Sequence, residues 1–187
     1  ASRGLGDVYK RQVQGPVDYT PGAYRNATRE GFRIDYRNPM SQGTRAHQVA
    51  AYVVFDAPLV MLCDSPTRYM ADEACTRFIA SLPVVFDTTR VLAGEIGEYI
   101  VTARKRQDCW YVGGLTGWTP RTLDVDLSLL DPGREYTATL LADDDRSAAE
   151  PARYVLSTQR VTSATRLQIP VAPGGGFALK IEPADNK

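Results

Sequence analysis

The strongest constraint in this sequence is a change of period near Pro83: before it, apolar residues recur at helical spacing, and after it they alternate in short runs separated by turns. In the first part Ala46, Val49, Ala50 and Val53 fall at i, i+3, i+4 and i+7, which predicts a helix over about 42–55 with one apolar stripe. The run 59–63 after Pro58 predicts a buried strand. Ser65 and Pro66 supply turn chemistry, and Ala71, Cys75, Phe78 and Leu82 form a second stripe that ends at Pro83. With a further strand ending just before Asp18, the order is strand, helix, strand, helix. That is the alternation of a parallel sheet or barrel, but a closed (β/α)8 barrel takes about 250 residues, so this stretch predicts only a remnant of one.

After Pro83 the sequence offers about eight short strands, among them 84–92, 98–104, 109–115, 122–127 and 136–141. Turn signals at 105–108, 131–133 and 173–176 separate them. An antiparallel β-sandwich of roughly 100 residues accounts for this pattern. The fold class is therefore α+β: a remnant of a (β/α)8 barrel over 13–83, followed by an antiparallel β-sandwich over 84–187. The acidic run Asp143-Asp144-Asp145 reads as a solvated loop tip. The opening ASRGLGDVYKRQ has no apolar core and no cleavage pattern, reads poorly as native protein, and is expected to be a non-native leader over 1–12.

Charge and composition exclude several classes. Lys and Arg number 22 against 22 Asp and Glu, so no long-range field attracts phosphates, and no local basic patch points to nucleic acid or an anionic membrane. The longest apolar stretch, 49–62, is broken by Asp56 and Pro58 and falls short of the roughly 20 residues of a spanning helix. Cys63, Cys75 and Cys109 make neither a CxxC pair nor a metal spacing, so no metal site is expected, and Cys63 and Cys75 could equally pair with each other or serve as small core residues. GxSxG, P-loop and complete GxGxxG motifs are absent. His47 is the single histidine; it lies in an apolar stripe and reads as a packed or hydrogen-bonded residue, not as the base of a Cys-His hydrolase.

Several segments, in order, resemble glycoside hydrolase family 97: GPVDYTPGAYRNAT at 15–28, GTRAHQVAAYVVFDAPLVMLCDSP at 43–66, FIASLPVVFDTTRVLAGEIGEYIVTAR at 78–104, WYVGGLTGWTPRTLDVDLSLL at 110–130 and APGGGFALKI at 172–181. Together they cover about 13–181. The resemblance implies a three-part enzyme with an N-terminal β-sandwich, a (β/α)8 catalytic barrel and a C-terminal antiparallel β-domain. It implies α-glucosidase activity with inversion or α-galactosidase activity with retention on an oligosaccharide substrate, and a calcium ion held by glutamates near the active site. It also implies a periplasmic or secreted protein and contacts between this chain and the barrel and N-terminal domain.

Glycoside hydrolysis requires two carboxyl groups at the barrel mouth. The family pattern places the acid and the calcium ligands in a glutamate-rich stretch just before 15–22, where this sequence has GDVYKRQ and no glutamate. No catalytic residue is therefore assigned, no calcium is expected on this chain, and it is expected to be inactive alone. The substrate-mouth candidates are Asp18 and Tyr19, at the end of an expected barrel strand, and Asp64, in the matching place after the next. Each Asp also has a bland reading, Asp18 as a turn residue whose carboxylate accepts from the Thr20 amide, and Asp64 as part of a helix start. Trp110, Tyr111 and Trp118 could form a sugar platform, making the chain a carbohydrate-binding module, or pack in the core. The two helices, left without neighbouring barrel units, are expected to expose their apolar faces.

Overall fold

The computed structural model describes residues 19–184; the expected leader over 1–12 and Asp18 lie outside the described residues. A two-residue parallel pair, β1 (Asn26–Ala27) with β2 (Ser41–Gln42), precedes three helices, α1 (Arg45–Val54), α2 (Pro66–Ala71) and α3 (Glu73–Ala80). Eight strands follow: β3 (Thr88–Glu95), β4 (Tyr99–Arg106), β5 (Cys109–Thr116), β6 (Arg121–Asp126), β7 (Tyr136–Ala142), β8 (Val155–Val161), β9 (Arg166–Val171) and β10 (Gly176–Pro183). They form a six-stranded antiparallel sheet in the order β3-β4-β5-β10-β7-β8, with β6 and β9 as a separate antiparallel pair. The turns expected between strands are present, with Gln107, Gly133 and Gly174 at positive φ.

The middle of the large sheet, formed by β4, β5 and β10, is buried on both faces. On one side Val101, Val112, Leu179 and Ile181 meet Leu123, Val125, Ile169 and Val171 of the β6–β9 pair in the sandwich core. On the other side α1 lies across β5 and β10 and packs Ala46, Val49 and Val53 around Tyr111, Leu141 and Ala178. Two adjacent glycines in the middle of β5 make this possible. A Cβ on Gly113 would stand 2.9 Å from both Val53 and Val54, while one on Gly114, which faces the other way, would strike the Phe177 ring at 2.2 Å. β5 thus gives up side-chain volume on both faces so that a helix and an aromatic ring can reach its backbone.

Helix α1 begins where the Thr44 hydroxyl accepts the His47 amide at 3.1 Å, satisfying one of the free N–H groups of the first turn. Its expected stripe is buried, and so is nearly everything else on it, because the segment from Tyr19 to Tyr24 and the α2–α3 pair cover the side turned away from the sheet. The helical face expected to be exposed is therefore covered. The second stripe does not form one helix. The Asp72 carboxylate accepts the Cys75 amide and starts α3 afresh, which leaves Ala71 exposed while Cys75 and Phe78 are buried.

Three further expectations change. Among the described residues the run 59–63 makes one parallel bridge, Val60 with Tyr19, in place of a buried strand, and Leu59, Met61 and Leu62 are 69%, 59% and 51% exposed. The strand expected to end just before Asp18, which would extend this pairing, lies outside the described residues, and a single bridge among the described ones does not make a ladder. The strand expected from Val84 begins at Thr88 instead, and Val84 and Val85 are exposed. The acidic tip is only partly solvated: Asp145 is exposed, Asp144 pairs with Arg153 at 2.8 Å, and Asp143 is buried beneath the β9–β10 turn.

Candidate functional site

The segment entering α1 and the start of α2 are stitched together by side chains that accept and donate across them. Gln48 on α1 accepts the Gly22 amide at 3.3 Å, Tyr52 donates its hydroxyl to the Pro21 carbonyl at 2.9 Å, and Tyr69 on α2 donates to the Gly22 carbonyl at 2.8 Å. Between this segment, α1 and the β9–β10 turn opens a cavity of about 490 Å³. Tyr19, Phe55, His47, Gln48, Asp64 and Trp118 contribute to its lining. Two of the three mouth candidates, Tyr19 and Asp64, therefore meet at one cavity, while the third, Asp18, lies outside the described residues.

Asp64 also performs the bland role expected of it. One carboxylate oxygen accepts the Ser65 amide at 2.8 Å, the other accepts the Tyr24 amide at 2.8 Å, and Arg68 approaches at 3.5 Å. Both oxygens are thus held by backbone donors from two segments. Tyr19 stacks edge-on against Phe55 with ring centres 4.5 Å apart. His47 is half-buried, engages the Gly175 carbonyl through Nδ1 at 3.1 Å, and has its pKa lowered by burial, the setting of a packed, hydrogen-bonded residue.

Among the described residues that line the cavity, Asp64 is the single carboxylate. The described residues do not assemble there the pair of carboxyl groups that hydrolysis of a glycoside demands. No group of three or more His, Cys, Asp or Glu that could hold a metal ion occurs among the described residues, and the oxygens of Asp64 are already committed to amides, so these side chains do not fit a calcium site. Cys63, Cys75 and Cys109 are all free thiols; Cys63 is exposed, whereas Cys75 is a core residue whose thiol burial pushes up to about 11.

The sugar-platform reading loses its main aromatics. Trp110 is buried in the sandwich core with Arg90 and Lys105 over its ring, and Tyr111 is buried on the opposite face, edge-on to Phe86. Trp118 is half-buried at the cavity with Arg29 5.9 Å from its ring centre, and no strand presents a row of exposed aromatics among the described residues.

Two charged clusters that no local pattern announced do more to organise this region. Arg45, buried on α1, donates to Asp72 at 2.7 Å, to the Tyr24 carbonyl at 2.7 Å and to Asn26 at 2.8 Å, with its guanidinium 4.0 Å from the Tyr24 ring centre. Asp72 in turn accepts the Tyr154 hydroxyl at 2.6 Å, which joins the helices to the loop before β8. Arg104 on β4 makes the equivalent tie at the other end of α1, donating to the Phe55 carbonyl and to Asp56.

A family profile described as "Glycosyl-hydrolase 97 C-terminal, oligomerisation" matches residues 85–182, more than half of the chain. The chain belongs to glycoside hydrolase family 97. A curated relative within that resemblance, the "Retaining alpha-galactosidase" of Bacteroides thetaiotaomicron, is 48% identical over 172 residues, covering 92% of this chain and 26% of its own length. A "Probable retaining alpha-galactosidase" of Streptomyces bingchenggensis is 29% identical over 91% of this chain and 24% of its own length. Among solved structures, a family 97 enzyme from Pseudoalteromonas sp. strain K8 in complex with panose superposes with a TM-score of 0.83 at 28% identity, over 94% of this chain and 27% of that one. The chain thus spans about a quarter of the length of its family 97 relatives.

Proposed function

We propose that this chain is the C-terminal part of a retaining α-galactosidase that hydrolyses α-linked galactosides, and that it closes and braces the catalytic barrel without supplying the reacting carboxyl groups. The observation that carries the assignment is the 48% identity to the Bacteroides thetaiotaomicron retaining α-galactosidase over 92% of this chain. It favours galactoside over glucoside and retention over inversion.

Residues 13–83 are read as the last βα units of the barrel. Tyr19 and Val60 pair in parallel across α1, the relation a βαβ crossover requires. In that reading Asp18, Tyr19 and Asp64 follow two barrel strands and lie toward the substrate mouth. The acid, the nucleophile and the calcium ligands come from other parts of the enzyme, and the chain alone is inactive. On the family resemblance, the enzyme works in the periplasm or outside the cell on an oligosaccharide. The β-sandwich over 84–187 packs against barrel helices through α1 and, following the description of its family profile, serves in assembly of the enzyme.

A chimaera tests this. Residues 19–184 replace the matching quarter of the Bacteroides enzyme, and hydrolysis of nitrophenyl α-galactoside and α-glucoside is compared. The expected outcome is a folded protein that hydrolyses the galactoside. A folded but inactive chimaera would overturn the assignment.

A further inference from the structure

We propose that β8 is a self-recognition edge, through which two copies of this chain join their large sheets antiparallel about a two-fold axis. The proposal rests on the assembly role read above and names the surface that performs it.

β8 is an outer strand of the six-stranded sheet. Its residues from Val155 to Arg160 are all exposed, and because successive strand residues point to opposite faces, both faces of the strand lack a covering layer. One side of its backbone pairs with β7 along the whole of its seven-residue length. The other side offers alternate N–H and C=O groups that find no backbone partner among the described residues. Val155 and Leu156 add exposed apolar surface at the same place.

An open strand edge is a hazard that folded proteins blunt with bulges, prolines or charges. The other edges here carry such devices. β3, the opposite outer strand, has a register shift between Val91 and Ala93 and carries Arg90. β6 bears Arg121, Asp124 and Asp126, and β9 bears Arg166 and Pro170. β8 has no proline, no acidic residue, no lysine and no register shift, and its single charge is Arg160. An edge left open where its counterparts are guarded is an edge kept for pairing.

The strand is complementary to itself. An antiparallel two-fold centred on Thr158 is the register that pairs all of β8, setting Thr158 against Thr158, Ser157 against Gln159, Leu156 against Arg160 and Val155 against Val161. No like charges meet, the aliphatic stem of Arg160 covers Leu156, and a cross-strand Thr pair is favourable. A formal net charge of zero lets two copies approach without long-range repulsion. Contact along one strand of this length lies at the small end of interfaces, below about 1,200 Å², so the dimer depends on concentration.

Sedimentation velocity of the full chain over a range of concentrations tests this, beside Thr158→Lys, Thr158→Glu and an equimolar mixture of the two. The unaltered chain is expected to dimerise as concentration rises, each variant alone to dimerise about tenfold more weakly or worse, and the mixture to recover the dimer through opposite charges across the two-fold. A dimer that neither variant weakens would overturn the β8 edge while leaving the assembly role to another surface. Weakening without recovery in the mixture would also overturn it. A chain that stays monomeric throughout would overturn both the edge and the assembly role.

Discussion

Replacing Arg45 by Ala is expected to lower the stability of the folded chain by about 3–5 kcal/mol, the range for removing one partner of a buried ion pair. The guanidinium is 6% exposed and donates to three acceptors on different segments: Asp72 before α3, the Tyr24 carbonyl before β1, and Asn26 on β1. Its loss strands the Tyr24 carbonyl and weakens the hold on Asp72, which must also cap α3 and accept the Tyr154 hydroxyl. Arg45→Lys should recover little, since an ammonium is a point charge and cannot serve three acceptors arranged around a planar fork. Urea unfolding followed by far-UV circular dichroism reads the effect. A loss under about 1 kcal/mol would mean the network is not what joins the helices to the sandwich.

The second large effect is a pH dependence set by Asp143. This carboxyl is 5% exposed; one oxygen accepts the Ala172 and Gly176 amides at 3.0 and 2.9 Å, and Oδ1 has no hydrogen-bond partner among the described residues. Burial pushes its pKa up from 3.8 to about 6, against the opposing pull of those amides and of the nearby Thr44 hydroxyl; the neighbouring Asp144 carboxylate raises it further. Burial lowers the pKa of His47, on the same side of the β9–β10 turn, and Arg153 is engaged by Asp144. The folded chain therefore keeps a proton on Asp143 over a window in which the unfolded chain has lost it. The resulting stabilisation is fully present below pH 3.8 and is lost as pH rises through about 6.

Asp143→Asn keeps an acceptor for the two amides and removes the buried charge. The variant is expected to be more stable than the unaltered chain at pH 7.5 by about 1–3 kcal/mol. The difference between their melting curves should shrink as pH falls from 7 to 4. Measuring that difference isolates Asp143 from surface carboxylates such as Asp87 and Asp126, whose lowered pKa values act in the opposite direction. A constant gap across the range would show that the carboxyl is charged throughout.

Comparing sequence with structure, the legible features are those whose partners are near in sequence or whose pattern is periodic. The strands from β4 to β7 announce themselves by alternation between strong turns, and the stripe of α1 by its spacing. The turn chemistry of Asp64 is local and could be read as such. What lay hidden depends on distant partners. Asp143 looks like one acidic residue of three until Ala172 and Gly176 fold over it, and Arg45 looks like a solvated helix-start charge until Asp72 arrives 27 positions later. The run 59–63 shows the converse: its composition fits a buried strand, but burial needs neighbours on both sides, and among the described residues Tyr19 is the one that pairs with it. At the candidate site, Tyr19 and Asp64 could be picked from their place after expected strands, whereas the share of Gln48, His47 and Trp118 in the same cavity follows from tertiary packing alone.

The central claim, that this chain braces an α-galactosidase without carrying its chemistry, is tested most directly by hydrolysis of nitrophenyl α-galactoside and α-glucoside with calcium present. The chain alone is compared with the same chain joined to its upstream gene sequence. The account predicts no turnover by the chain alone and galactoside hydrolysis with retention by the longer protein. Hydrolysis by the chain alone would contradict it, because Asp64 would then have to find a second carboxyl partner that the cavity lining does not contain among the described residues.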